Sequence, residues 1–190
     1  AGTAALVLVG SVAFSSAAQA VDPPPPSIAN IVAPGDGGSI IVHKHAGAPG
    51  EAGNGTPITD PTKIAALGVT VDGVTFRLDR ISYDNVPIDL STVEGWDLIW
   101  DTMTPADITG NYSAVLEDTQ VTAGGGLATF SGLEMGLYLA TESGGPAGIT
   151  LGAPFLVTVP FPDPAANSWI YDVNVYPKNQ LSDNPSKTVS

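Results

Sequence analysis

The sequence predicts a mainly β fold, a two-layer sandwich of the immunoglobulin-like type with a short helical insertion near residues 91–109. Two observations indicate this. Short runs of alternating apolar and polar residues recur along the 190 residues, separated by turns that draw on 22 glycines and 17 prolines. Between residues 84 and 110 the alternation gives way to apolar residues at helical spacing.

About seven short strands are expected, punctuated by glycine and proline. In the second of them Val74, Phe76 and Leu78 alternate with other residues, so they share the face that packs into a core. A loop is expected from residue 51 to residue 61. The expected strands cover residues 39–45, 69–81, 112–122, 127–130, 137–142, 154–159 and 169–179.

The helical insertion has its own start signal. Residues 91–94 read Ser-Thr-Val-Glu, which matches a capping box, and residues 104–107 read Thr-Pro-Ala-Asp, typical of another helical turn. Because tryptophans at helical spacing usually pack in a core, we expect both of those in the insertion to be buried there. The apolar residues at this spacing are Val93, Trp96, Trp100 and Met103.

Residues 1–20 have the pattern of a targeting segment. An apolar run over residues 4–10 is followed by Ala18-Gln19-Ala20, a small-x-small pattern typical of a cleavage site. We therefore expect residues 1–20 to be the remnant of a signal peptide, residues 21–37 a proline-rich linker, and the protein to be secreted. The folded domain should then cover residues 38–180, and residues 181–190 should form a linker to a following domain.

Charge and cysteine content exclude several functions. The formal net charge is -13, with 19 acidic residues against 6 basic ones. Nucleic acid is therefore an unlikely partner, because neutralising phosphates requires clustered lysine and arginine. The absence of cysteine removes disulfides, thiolate metal sites and cysteine nucleophiles. A secreted protein of this composition must gain rigidity in some other way.

The last strand ends on two residues whose side chains are expected to point to opposite faces of the sheet. A period of two places Lys178 toward solvent and Asn179 toward the core. In a chain with so few basic residues, a lysine in this position suggests that its amine is used chemically. The residues that share the inward face before Asn179 are Trp169, Tyr171, Val173, Val175 and Pro177.

Three polar residues fall on faces that should be buried. Lys44 shares a face with Ile40 and Val42 in the first strand, Glu142 follows the core positions of its own strand, and Asn179 follows Val175. A buried lysine or glutamate without a partner costs several kcal/mol, about as much as a small domain has in total. Such groups are tolerated when they satisfy one another.

Together these three side chains have the ingredients of an internal amide. Burial favours a neutral, nucleophilic amine on Lys44 and a protonated Glu142, which could polarise the Asn179 carboxamide and move protons as ammonia leaves. The alternative is that Lys44 extends to water at a strand end and pairs with Glu142, while Asn179 caps a turn. The spacing alone leaves both alternatives open.

These residues resemble a known family, the sortase-assembled pilins of Gram-positive bacteria. Tyr176-Pro177-Lys178-Asn179, preceded by Trp169 and Val173, looks like their pilin motif. Residues 136–142 look like their E-box, although residues 144–148 depart from its usual continuation. Strand segments 39–45, 73–78 and 154–160 also fit the family. The resemblance implies the N-terminal domain of a major, or shaft, pilin with the Cna B-type variant of the immunoglobulin-like fold.

The resemblance also implies two uses of lysine. Lys178 would be joined by a class C sortase to the C-terminal sorting signal of the next identical subunit, which makes the chain a sortase substrate and not an enzyme. Lys44 and Asn179 would form an intramolecular isopeptide bond assisted by Glu142. Minor tip and basal pilins are further implied partners, and the pilus would stand on the cell wall.

The remaining candidates give weaker signals. His43 and His45 lie two apart and are expected to be exposed, since no further metal ligands occur at a recognisable spacing. We expect neither a metal nor a cofactor. The alternative function is a cell-wall-anchored adhesin, or a tip or basal pilin, that binds host matrix or glycan.

Overall fold

The computed structural model describes residues 26–47, 53–100 and 102–179, so most of the predicted signal and linker segments lies outside the described residues. The helices are α1 (Pro61–Ala66) and α2 (Val93–Asp97), with single 3-10 turns at Ile28–Asn30 and Pro105–Asp107. The strands are β1 (Gly38–His43), β2 (His45–Ala46), β3 (Thr75–Tyr83), β4 (Val86–Pro87), β5 (Tyr112–Val121), β6 (Leu127–Leu133), β7 (Gly136–Gly144), β8 (Phe155–Val159), β9 (Phe161–Asp163), β10 (Ser168–Ile170), β11 (Asp172–Val175) and β12 (Lys178–Asn179).

Two sheets enclose one core, which confirms the predicted β-sandwich. The smaller sheet has the order β11–β1–β6, and the larger has the order β4–β3–β7–β8 with β5 also paired to β3. Inward-facing residues of both sheets form a single apolar cluster, as alternation along each strand requires. Its most deeply buried members include Ile40, Val42, Val74, Phe76, Leu78, Phe130, Tyr138 and Val159.

The helical insertion is present within residues 91–109. Thr92, one residue later than the start of the predicted capping box, caps α2 by accepting a hydrogen bond from the Gly95 amide at 3.0 Å. The predicted burial of both tryptophans is only half right. Trp96 packs on Trp169 with ring centroids 5.1 Å apart, whereas Trp100 is 46% exposed, because α2 ends before it. Neither helix in the described part of the chain has the length and apolarity needed to traverse a bilayer.

Helix α1 was not expected from the hydrophobic pattern. It begins at Pro61, where the predicted loop ends, and Asp60 caps it by accepting a hydrogen bond from the Thr62 amide at 2.8 Å. None of its residues is buried, so it has no apolar periodicity to detect. The available signal was the Asp-Pro pair, an N-cap residue followed by proline at the first helical position.

The two terminal strands are interrupted, although each was predicted to be continuous. The first breaks at Lys44, between β1 and β2, and the last breaks at Tyr171 and again at residues 176–177. Alternation places Asn174 on the same outward face as Lys178, yet it is only 5% exposed, because the segment around Gly55 covers it and accepts its backbone N–H at 2.8 Å. The alternation is therefore correct locally and fails where a loop covers the outer face.

Gly126 supports the break at Lys44. The Lys44 amide donates to the Gly126 carbonyl at 2.7 Å, and Gly126 has a φ of +78°, which favours glycine. A Cβ at this position would lie against the carbonyl oxygen of Lys44 and 3.1 Å from the amide nitrogen of Val71. Neighbouring Gly125 also has a positive φ, +100°, but has open space around it.

We therefore predict that Gly126→Ala destabilises the fold much more than Gly125→Ala. Both variants introduce backbone strain of about 1–2 kcal/mol, but only the first forces backbone atoms of two segments apart. Urea unfolding should give a free energy of unfolding at least about 2 kcal/mol lower for Gly126→Ala than for Gly125→Ala. Equal unfolding midpoints for the two variants would show that the close approach of residue 126 to Lys44 does not affect the stability of the fold.

Candidate functional site

Parallel pairing of the first and last strands brings Lys44 and Asn179 to the same end of the sandwich. In β1 and β11, Ile40 pairs with Val173 and Val42 with Val175. The pairing resumes after both breaks, where β2 and β12 set Asn179 opposite Ala46. Since both strands run in the same direction, their C-terminal ends lie at the same end of the sandwich.

Glu142 reaches this place from the other sheet. It lies near the end of β7 and pairs with Phe76 of β3. Its Oε1 atom is 3.1 Å from the Lys44 Nζ atom. Its Oε2 atom accepts hydrogen bonds from the Asn179 carboxamide Nδ2 and, at 2.8 Å, from the backbone amide of Gly152. The carboxylate thus bridges the lysine and the asparagine.

The three side chains are removed from water. Lys44 is 0% exposed, Glu142 6% and Asn179 4%. Burial lowers the pKa of Lys44, against the opposing attraction of the Glu142 carboxylate, so the neutral amine is easier to reach than in solution. A lysine that extends to water and an asparagine that caps a turn, the alternatives left open by the sequence, do not describe these positions. The nearest further acceptor for Nζ is the Pro177 carbonyl, at 3.4 Å.

One atom of the cluster lacks a partner among the described residues. The Asn179 Oδ1 atom is buried and accepts no hydrogen bond, although buried acceptors are usually satisfied. A half-turn of the carboxamide would exchange Oδ1 with Nδ2 and bring the oxygen beside Glu142 Oε2. In that orientation a protonated Glu142 could donate to Oδ1, as the sequence-based mechanism requires.

Lys178 lies on the other side of the same backbone. It pairs with His45, is half-buried, and donates from Nζ to the carbonyl of Ala66, the last residue of α1, at 3.2 Å. Its amine therefore lies outside the Lys44–Glu142–Asn179 cluster. The prediction that it faces solvent is right in direction, although α1 lies against its end.

The other residues of the motif resembling the pilin motif hold neighbouring segments. Tyr176 stacks on His43 with centroids 4.5 Å apart, and its hydroxyl accepts the Ile58 amide at 2.8 Å. The Trp169 indole donates to the Ser27 carbonyl at 3.0 Å, which fastens residues 26–34 to the sandwich. In the same motif Val173 is buried, Val175 is half-buried against β1, and the Pro177 carbonyl accepts the His45 amide.

Neither histidine is exposed, which corrects the sequence-based expectation: His43 is half-buried and His45 is buried. His45 is 6% exposed, because it lies beneath the segment that follows α1, and its Nδ1 atom is 3.1 Å from the Gly68 carbonyl. Burial lowers the pKa of His45, despite that hydrogen bond, and the nearby Lys178 amine acts in the same direction. In the described ranges no group of three or more histidine and acidic side chains could hold a metal ion.

Gly152 is a contact that sequence reasoning missed. It belongs to the irregular segment between β7 and β8, where no periodicity predicts which residue meets the cluster. Its amide holds Glu142 Oε2, and a Cβ there would lie 2.6 Å from Asn179 Oδ1. The departure of residues 144–148 from the usual E-box continuation pointed to this loop, but not to this residue.

Comparison with known proteins identifies the family. Residues 35–180 match the family described as Gram-positive pilin subunit D1, N-terminal domain. The chain is 34% identical over 164 residues to fimbrial subunit type 2 of Actinomyces naeslundii, a match that covers 75% of this chain and 29% of that protein. This chain therefore spans less than a third of that relative.

Solved structures agree in fold. The full-length major pilin SpaD from Corynebacterium diphtheriae matches with 32% identity and a TM-score of 0.61, over 76% of this chain and 32% of that one. The SpaA pilin–signal peptide complex from the same organism matches with 32% identity and a TM-score of 0.58, over 77% of this chain and 99% of that one. With its immunoglobulin-like fold and a family match over most of its length, this chain belongs to the N-terminal D1 domains of Gram-positive pilin subunits.

Proposed function

We propose that this domain is part of a shaft subunit of a cell-surface pilus, polymerised covalently through Lys178 and locked internally by a Lys44–Asn179 isopeptide bond. One observation carries the proposal: two lysine amines at the end of the same strand pair have separate environments. The Lys44 amine contacts a buried carboxylate that also accepts a hydrogen bond from the Asn179 carboxamide, whereas among the described residues the Lys178 amine donates to a backbone carbonyl at the edge of the domain.

The internal reaction joins Lys44 Nζ to Asn179 Cγ. Proton transfer from Nζ to Glu142 Oε1 replaces two buried charges with two neutral groups and leaves a nucleophilic amine. The amine attacks Cγ, a new C–N bond forms, and Nδ2 leaves as ammonia. Glu142 gives that proton to the leaving nitrogen and takes one from the new amide nitrogen, so the products are one amide, one ammonia and a protonated, neutral Glu142.

The intermolecular reaction uses the Lys178 amine. Class C sortase would present the sorting signal of another subunit as an acyl group, and Nζ would displace the enzyme to form an amide. The amine must first leave the Ala66 carbonyl, a single hydrogen bond of 3.2 Å. Support by analogy comes from the SpaA pilin domain, which was solved as a complex with a signal peptide.

The positions of the other lysines support Lys178 as the residue that links subunits. The chain has four lysines, and Lys44 is fully buried. Lys63 lies exposed in α1, and Lys187 lies outside the described residues. Among the described lysines, Lys178 lies in a paired strand, β12, with its amine outside the buried cluster, so an incoming acyl group would meet an amine with a defined position.

The first prediction concerns polymerisation by the full-length precursor in cells that contain its sortase. Lys178→Ala and Lys178→Arg should abolish the high-mass ladder on denaturing gels, because neither side chain provides a primary amine. Lys63→Ala is the matched control and should leave the ladder intact. A ladder that persists in both Lys178 variants would move the linkage to Lys63 or Lys187.

The second prediction concerns the internal bond. Intact-mass spectrometry should find the wild-type chain lighter than its calculated mass by one ammonia, and a digest should contain one peptide pair joined through Lys44 and Asn179. Glu142→Gln keeps the side-chain shape but cannot take the amine proton, so it should show the full calculated mass, as should Glu142→Ala.

Stability provides a second measurement of the same bond. A cross-link that closes a loop of over 100 residues stabilises by roughly 5 kcal/mol in the loop-entropy account, so Glu142→Gln should unfold at a lower temperature than the wild type. A wild-type chain with its full calculated mass would contradict the internal bond and leave the role of Lys178 untouched.

A further inference from the structure

Gly152 contacts both acceptor groups of the buried cluster. The segment between β7 and β8 folds back over the end of β7, and the Gly152 amide donates to Glu142 Oε2 at 2.8 Å. That oxygen also accepts from the Asn179 carboxamide. The loop therefore fixes the carboxylate through Oε2, while Lys44 contacts Oε1.

The absence of a side chain at this position leaves room for the reacting group. A Cβ on Gly152 would lie 2.6 Å from Asn179 Oδ1 and 3.3 Å from Glu142 Oε1. Gly152 is not among the residues with positive φ, so its backbone conformation does not require glycine. Glycine is required at position 152 because a side chain would collide with Asn179 Oδ1.

We propose that Gly152 is a positioning residue for formation of the Lys44–Asn179 bond, holding the Glu142 carboxylate with its amide and leaving space for the Asn179 carboxamide. This inference rests on the internal bond put forward under the proposed function. It assigns to the loop between β7 and β8 a direct part in that reaction.

An alanine at position 152 should affect the reaction because the group that it displaces, the Asn179 carboxamide, is one of the two reacting groups. A displaced Oδ1 must either turn the carboxamide about the Cβ–Cγ bond, which disturbs its hydrogen bond to Glu142 and the face that Lys44 attacks, or shift Cγ itself. Misplacing reacting groups by about 1 Å slows a reaction on the order of 100-fold. A methyl group on residue 152 therefore acts on the reaction before it acts on the fold.

The experiment follows ammonia loss over time in the freshly translated full chain. Gly152→Ala should form the bond at least about tenfold more slowly than the wild type. Gly145→Ala is the matched control, because Gly145 lies in the same loop, lacks a positive φ, and its added Cβ would meet the side chains of Leu151 and Val74 at ordinary distances of 3.5 and 3.7 Å. Gly145→Ala should react at the wild-type rate.

A stability comparison separates positioning from a general loss of loop structure. Asn179→Ala removes the atom that a Cβ on residue 152 would approach. Asn179→Ala and Asn179→Ala/Gly152→Ala should therefore unfold at the same urea concentration. This pair also decides the case in which Gly152→Ala alone fails to fold, because equal midpoints would trace that failure to the Asn179 contact.

Each remaining outcome overturns the inference. Bond formation at the wild-type rate in Gly152→Ala removes the role of Gly152 and leaves the internal bond intact. An equal loss of stability in the Asn179→Ala background shows that glycine serves the loop and not the reaction. A wild-type chain that never loses ammonia overturns the internal bond and, with it, the role of Gly152.

Discussion

The architecture of the site depends on the parallel pairing of the first and last strands. Parallel neighbours must be far apart in sequence, because the connection between them has to cross the length of the domain. Here that connection is most of the sandwich itself, so the ends of β2 and β12 meet only when the fold is complete. The cluster in which Glu142 bridges Lys44 and Asn179 therefore forms only in the complete fold, and a bond formed there would be restricted to correctly folded chains.

The buried ion pair makes this junction costly while it remains unreacted. Lys44 and Glu142 lose their hydration on burial, and their mutual attraction compensates for that loss only partly. In addition, one oxygen of Asn179 has no hydrogen-bond partner among the described residues. An amide between Lys44 and Asn179 carries no charge. The reaction would consume Lys44 and Asn179 and leave Glu142 neutral, so the bond would remove the charges that are unfavourable in the core.

Much of the fold and of the site could be predicted from alternation, and the failures have physical causes. Lys44, Glu142 and Asn179 each continued an apolar face, which indicated burial but left open a lysine that extends to water and an asparagine that caps a turn. Alternation does not show what covers a strand from outside. It therefore placed Asn174 toward solvent, although the segment around Gly55 covers this residue. It also contains nothing about irregular loops, which is why Gly152 emerged only from the three-dimensional arrangement.

The adjacency of Lys178 and Asn179 has a mechanical consequence for a shaft linked through Lys178. Force from one neighbour would enter through the Lys178 side chain, and force toward the following part of the same subunit would leave through the backbone beyond Asn179. The force would pass from Lys178 to Asn179 through a single peptide bond, so the rest of the sandwich would carry almost none of it. Its weak noncovalent strand contacts would then be shielded from pulling forces, and its surface would remain folded on a stretched fibre.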